Sequence, residues 1–221
     1  MTLKAVFFDL DGTLLDTALD LSAALNKVMV EDGLSPLPIE KTRGIVSEGS
    51  FALVKLGYQL QDGHPRIDSL RQRLLDHYLA DLASHTEMFD GIDELITTLT
   101  QHDIGWGIVT NKPWPYTEPL MEAFQFASPP LCVICPEHVT HRKPAPDSLT
   151  LACEKAHCDT SEAIYIGDHQ RDISCGQNAG MPTIAVSYGY IAKDDNIHSW
   201  NADHIADTAH DLWPLINTYR Q

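Results

Sequence analysis

The stretch Phe7-Phe8-Asp9-Leu10-Asp11-Gly12-Thr13-Leu14 carries an apolar run into two carboxylates and a glycine. Lys4 to Phe8 is short and rich in β-branched and aromatic residues, which suits a buried strand, and Asp9 marks where that strand meets water. Similar runs recur at Gly105 to Val109, Leu131 to Ile134, Ala163 to Ile166 and Thr183 to Val186, each followed by a polar or glycine-containing turn. Between them lie helical patterns over Asp93 to Gln101, Asp147 to Ala156 and Asp172 to Ala179. Apolar strands alternating with amphipathic helices predict an α/β fold, a Rossmann-like doubly wound parallel sheet.

Residues 16–87 break that alternation. They show helical spacing at Leu21, Leu25 and Val28, and again at Leu70, Leu74, Leu75, Tyr78 and Leu82, with no convincing buried strand. Roughly 70 residues is far too long for an ordinary strand-to-helix connection. The pattern predicts an inserted α-helical domain at 16–87 within a core made of 1–15 and 88–221. Gly33 to Pro38 and Gly57 to Pro65 read as turns between its helices.

Composition narrows the partners. Across 221 residues, 15 Lys and Arg face 31 Asp and Glu, a formal charge of −16. Nucleic acid and anionic membrane surfaces both select basic faces, so neither partner is expected. With 43% hydrophobic residues the chain is globular, and no run approaches the roughly 18 apolar residues of a membrane span. The N-terminal residues lack signal-peptide character, and five scattered cysteines read as free thiols in a reducing compartment. A soluble cytoplasmic protein, monomer or homodimer, is expected.

Strand alternation puts Asp9 and Asp11 on one side, at the carboxyl edge where open α/β sheets bind ligands. Two convergent carboxylates suit a hard cation such as Mg²⁺; the plain alternative is a polar turn. A calcium EF-hand loop fails, because Leu14 and Asp20 stand where that motif needs glycine and glutamate. Other strands end in Thr110-Asn111-Lys112 and in Gly167-Asp168 with Asp172 beyond it, and the region after Leu131 to Ile134 contains Arg142-Lys143-Pro144. Singly, these are a turn pair, a surface charge and helix caps. Together they would line one sheet edge with carboxylates, a hydroxyl and a lysine.

In that order, FDLDGTL, VTN ending at Asn111, RKPAPD at Arg142 to Asp147 and GDHQRD at Gly167 to Asp172 resemble the four signature motifs of the haloacid dehalogenase-like hydrolases. The helical insertion after the first motif resembles that superfamily's cap. The resemblance implies a phosphatase in which Asp9 is the nucleophile and Asp11 the general acid and base. It implies Mg²⁺ held by Asp9, Asp168 and the backbone carbonyl of Asp11. Thr110, Asn111 and Lys143 would bind the phosphoryl group, Gly12 would shape the turn that brings amides to it, and Thr13 would support that turn. Asp172 would orient Lys143 or a metal-bound water. His169 departs from the small or acidic residue usual there and reads as a solvent-facing loop residue.

Phe89 to Gly91, Trp106 to Pro113, Ile134 to Thr140 and Tyr188 to Ile191 resemble the phosphoglycolate phosphatase group, and more closely the bacterial N-acetylmuramic acid 6-phosphate phosphatases of peptidoglycan recycling. Both substrates are small and carry a carboxylate besides the phosphate. Arg43, in the glycine-containing stretch Arg43 to Ser50, is a candidate for binding that carboxylate, and the stretch itself for a loop that dips toward the site. Two alternatives stay open: a phosphomutase of the same superfamily, and a receiver domain phosphorylated on aspartate. A zinc site at Cys132, Cys135, His138 and His141 is set aside, since strand positions three apart face opposite ways and the spacing is too compressed.

Overall fold

The computed structural model describes residues 3–220. The chain divides into two compact units, one running up to Leu15 and resuming at Met88, the other Asp16–Glu87.

In the first unit the parallel sheet runs in the order β5-β4-β1-β6-β7-β8. These strands are β1 (Ala5–Phe8), β4 (Gly105–Val109), β5 (Val133–Ile134), β6 (Ala163–Gly167), β7 (Thr183–Val186) and β8 (His204–Ala206). Every residue of β1, β6 and β7 is buried, as expected of strands covered on both faces. Register is continuous across the centre: Phe8 lies beside Ile108 on one side and Ile166 on the other. Strand order reverses about β1, so the chemistry-bearing ends of β1, β4 and β6 meet at the switch point. The helices are α5 (Ile92–Gln101), α6 (Trp114–Ala123), α7 (Asp147–Ala156), α8 (Gln170–Ala179) and α9 (Leu212–Asn217).

The predicted strand Leu131 to Ile134 shortens to Val133–Ile134, with Leu131 half exposed at the sheet edge. Backbone bonds still tie Leu131 to Trp106 and Cys132 to Ile108, so the segment lies alongside β4 without completing a ladder. Strand β8 and helix α6 carry no clear sequence signal. The first has three half-buried or buried residues at an edge, and the second contains Pro119 inside it.

The second unit holds α1 (Ala18–Glu31), α2 (Ile39–Thr42), α3 (Ser50–Tyr58) and α4 (Ile67–Ala80). Leu21, Leu25 and Val28 of α1 and Leu70, Leu74 and Tyr78 of α4 are buried, as their spacing predicts. Two expectations need correction. Gly57 does not open a turn: α3 runs through it, and its bare backbone closes on Leu25 and Met29 of α1. Residues Arg43–Glu48 form a 3₁₀ helix instead of an open loop, stopped at Gly49. The chain leaves for this unit through β2 (Leu15–Asp16) and returns through β3 (Glu87–Met88), which pair as a two-stranded sheet.

Candidate active site

The β1 strand ends at Phe8, and the Asp9 N–H still donates to Ile166 of β6 at 2.9 Å, so the Asp9 carboxylate leaves the sheet at its carboxyl edge. The chain then folds back within a few residues: Leu14 and Leu15 N–H both donate to the Leu10 carbonyl, and Gly12 N–H to Leu15. Gly12 has φ +83°, and a Cβ there would stand 2.2 Å from Asp168 Oδ2. Only glycine admits both this conformation and this approach.

Lys143 lies at the centre, buried, with four acceptors around its ammonium. Asp172 Oδ1 is at 2.7 Å, Tyr165 Oη at 2.8 Å, the Val109 carbonyl at 2.9 Å and Asp9 Oδ1 at 3.0 Å. An ammonium has three N–H groups, so one is shared. The reading of Lys143 as a surface charge is excluded by this burial. Burial acts to lower its pKa, but the Asp172 and Asp9 carboxylates outweigh that and hold it above its ordinary value.

Asp9 moves the other way from most paired carboxylates. Burial pushes it up, Lys143 pulls it down, Asp172 and Asp11 push it up again, and it settles at about 6. Burial thus outweighs the Lys143 ammonium at 3.0 Å in setting the affinity of Asp9 for a proton. Asp9, Asp168 and Asp172 each offer an oxygen, and these lie within 4.8 Å of one another. Asp9, Asp11, Asp168 and Asp172 set against Lys112 and Lys143 leave a formal −2 in the cluster. An all-oxygen donor set with that deficit fits a hard divalent cation.

Thr110 follows β4. Its hydroxyl accepts from Lys112 N–H at 3.1 Å, which leaves the hydroxyl proton to donate outward. Asn111 Nδ2 donates to the Lys143 carbonyl at 3.1 Å, tying the second strand end to the third. Thr13 Oγ1 donates to Asp168 Oδ1 at 3.3 Å. The edge thus brings together Asp9, Asp11, Gly12, Thr13, Thr110, Asn111, Lys143, Asp168 and Asp172. Arg43 lies in the helical unit, where its guanidinium grips the Asp16 carboxylate at 2.8 and 3.1 Å.

The haloacid dehalogenase-like hydrolase family matches residues 6–186. The chain belongs to that family. It is 42% identical to an N-acetylmuramic acid 6-phosphate phosphatase of Pseudomonas aeruginosa over 98% of this chain and 96% of that protein. It is 34% identical to a phosphoglycolate phosphatase of Xanthomonas campestris pv. campestris over 95% of each. In fold it matches the crystal structure of a predicted phosphoglycolate phosphatase from Haemophilus somnus 129PT, with TM-score 0.85, 21% identity and 98% and 99% of the two chains covered. The protein is a phosphoric monoester hydrolase of this family, which removes the receiver domain as an alternative. Among the described residues no helix is long and apolar enough to cross a membrane.

Two further residues belong to this hydrolase's site. Lys112, with its side chain 8% exposed, pairs with Asp11 at 2.9 Å. In the sequence it is a cation directly after Asn111, and nothing there marks it as the partner of Asp11. Tyr165 sits mid-strand in β6, where an aromatic reads as core; its hydroxyl donates to the Val109 carbonyl at 2.8 Å while accepting from Lys143. Nothing in sequence separates that tyrosine from a packing residue. His169, expected to face solvent, caps α8 instead: its Nδ1 accepts from Arg171 N–H at 3.0 Å, and its ring stacks toward Trp200. His138 Nδ1 accepts from Cys135 N–H and His141 pairs with Asp147, so the Cys-His cluster is spent on local contacts.

Proposed function

We propose that the protein hydrolyses N-acetylmuramic acid 6-phosphate with Mg²⁺, phosphoglycolate being the second candidate. The observation that carries the chemistry is Asp9 at the sheet edge, 3.0 Å from a buried lysine and grouped with Asp168. The substrate rests on 42% identity across nearly the whole chain to a phosphatase of that name, against 34% for phosphoglycolate.

Asp9 and Asp168, with the Asp11 carbonyl, would hold the metal, which supplies charge neutralisation between a carboxylate and a phosphate that repel each other. Asp9 attacks phosphorus, the bond to the ester oxygen breaks, and Asp11 delivers a proton to that oxygen. Asp11 then takes a proton from water as it attacks the aspartyl-phosphate, releasing inorganic phosphate and restoring Asp9. Thr110 Oγ1 and the Asn111 backbone donate to phosphoryl oxygens, and Lys143 stabilises charge on Asp9 and the transferring group. Asp172 and Tyr165 fix Lys143.

Residues 16–87 are assigned as a cap that selects the leaving group, with Arg43 a candidate for the carboxylate both substrates carry. Arg43 must then exchange Asp16 for the substrate. A steady-state comparison of kcat/KM on the two substrates, following phosphate release with Mg²⁺, tests the reading. A higher value for the sugar acid supports it. A higher value for phosphoglycolate transfers the assignment, and negligible phosphate release from either overturns both substrate assignments.

A further inference from the structure

The segment Tyr188-Gly189-Tyr190, following β7, has no part in the chemistry above, yet each of its residues touches the Asp168 corner. Tyr190 N–H donates to Asp168 Oδ2 at 2.8 Å. Tyr188 Oη donates to the Thr13 carbonyl at 3.0 Å, and the Thr13 hydroxyl donates in turn to Asp168 Oδ1. Tyr190 Oη reaches the Leu15 carbonyl at 3.4 Å, the same carbonyl that accepts from Gly12 N–H. Phe89, which donates its N–H to Leu14, holds the far side of Tyr188 ring to ring at 4.8 Å.

Between the two tyrosines the backbone passes directly over the carboxylate. A Cβ on Gly189 would lie 2.3 Å from Asp168 Cβ and 2.5 Å from the Gly12 carbonyl oxygen. Ordinary carbon contacts are about 3.5–4.0 Å, so any side chain there displaces the segment or the aspartate by about an ångström. Neither atom ends a flexible side chain that can yield. Tyr190 is buried, so these bonds are shielded from water.

We infer that Tyr188-Gly189-Tyr190 is a positioning strap that fixes both oxygens of Asp168 ahead of metal binding and thereby sets the protein's affinity for its divalent cation. The inference rests on the reading of Asp168 as a metal ligand. A carboxylate already oriented by the Tyr190 amide and the Thr13 hydroxyl binds without first paying to order itself. Loss of such supporting contacts typically weakens metal sites by about 10–100-fold. Sequence patterning does not show this role, because a Tyr-Gly-Tyr after a strand is indistinguishable from an ordinary turn.

The test titrates Mn²⁺ into Gly189→Ala, Tyr188→Phe, Asp168→Asn and unaltered protein, reading free Mn²⁺ by electron paramagnetic resonance, with circular dichroism to verify folding. A folded Gly189→Ala should bind Mn²⁺ about 10–100-fold more weakly. Tyr188→Phe, which removes only the bond to Thr13, should weaken binding by roughly two- to tenfold. A merely structural role would lower the melting temperature and leave the affinity of the folded protein unmoved. Folded Gly189→Ala binding within twofold of unaltered protein overturns the inference. Should that variant not fold, Tyr188→Phe decides on the same readout, unchanged affinity overturning it. If unaltered protein binds no Mn²⁺, or Asp168→Asn binds it equally well, the metal reading itself fails and takes the strap with it.

Discussion

Replacing Asp9 by Asn should abolish turnover and at the same time stabilise the metal-free fold. In an unfolded chain the carboxyl titrates near its ordinary value of 3.8, whereas in the folded protein it titrates at about 6. The folded state therefore holds a proton that the unfolded state has lost between those pH values. By linkage, stability falls as pH rises through that window, and the penalty is complete above about pH 6. At 1.36 kcal/mol per tenfold change in proton affinity, it amounts to roughly 3 kcal/mol. Asparagine resembles the protonated acid in shape and carries no charge, so the variant escapes the penalty. Urea unfolding in EDTA should give Asp9→Asn an advantage of up to about 3 kcal/mol at pH 7.5, shrinking toward zero near pH 4. Mg²⁺ should then close the gap, because it stabilises the ionised form and has a weakened site in the variant. The reasoning is refuted if Asp9→Asn is no more stable than the unaltered protein at pH 7.5 in EDTA, or if an advantage persists undiminished at pH 4.

Asp11→Asn removes the proposed proton donor while keeping its shape and its backbone carbonyl. A fall in kcat of about 10²–10⁴-fold is expected, with Mn²⁺ affinity within a few-fold of normal. Tyr165→Phe deletes one of the four acceptors around Lys143 and leaves the Val109 carbonyl with a single donor. A loss of about 1–2 kcal/mol in unfolding free energy is expected, with kcat falling more than KM rises. Arg43→Ala frees Asp16 and should lower kcat/KM for both carboxylate-bearing substrates while sparing p-nitrophenyl phosphate. Equal rates on all three would remove Arg43 from substrate binding. Metal binding at pH 6 should release about half a proton, measurable by calorimetry in buffers of different ionisation enthalpy, because Asp9 is then about half protonated. Binding with no proton release at that pH would contradict the raised Asp9 value.

What the sequence made legible follows from burial. Strands covered on both faces must be apolar throughout, so β1, β4, β6 and β7 stand out as runs, and the polar residue after each run marks the sheet edge. That is why Asp9, Thr110 and Asp168 announce themselves together. An edge strand lacks that constraint: β8 reads His204-Ile205-Ala206, two of them only half buried, and resembles any loop. Residues 43–48 misled for a local reason, since glycine and serine suggest an open turn whereas the chain there winds tightly into a 3₁₀ helix that Gly49 ends. The two lysines show the sharper difficulty. Lys112 and Lys143 are both loop lysines, and only tertiary packing buries the first against Asp11 and the second against Asp9 and Asp172.

The charge balance connects these particulars. A chain of formal charge −16 opposes any phosphorylated acid approaching it, and the site adds a local −2 of its own. Screening leaves little of the global field beyond about 8 Å at physiological salt, so the local deficit dominates at contact distance. One divalent cation cancels it, and holding Asp9 buried beside Asp172 and Asp11 costs stability, as its raised pKa records, burial being the first cause and the neighbouring carboxylates a lesser one. A better-neutralised cluster would make a firmer fold and a poorer metal site. This is why Asp9, the proposed nucleophile, is expected to be among the residues whose removal strengthens the molecule, and why the strap inferred at Asp168 draws on a backbone donor and uncharged hydroxyls. Another cation there would satisfy the carboxylates and remove their reason to bind metal.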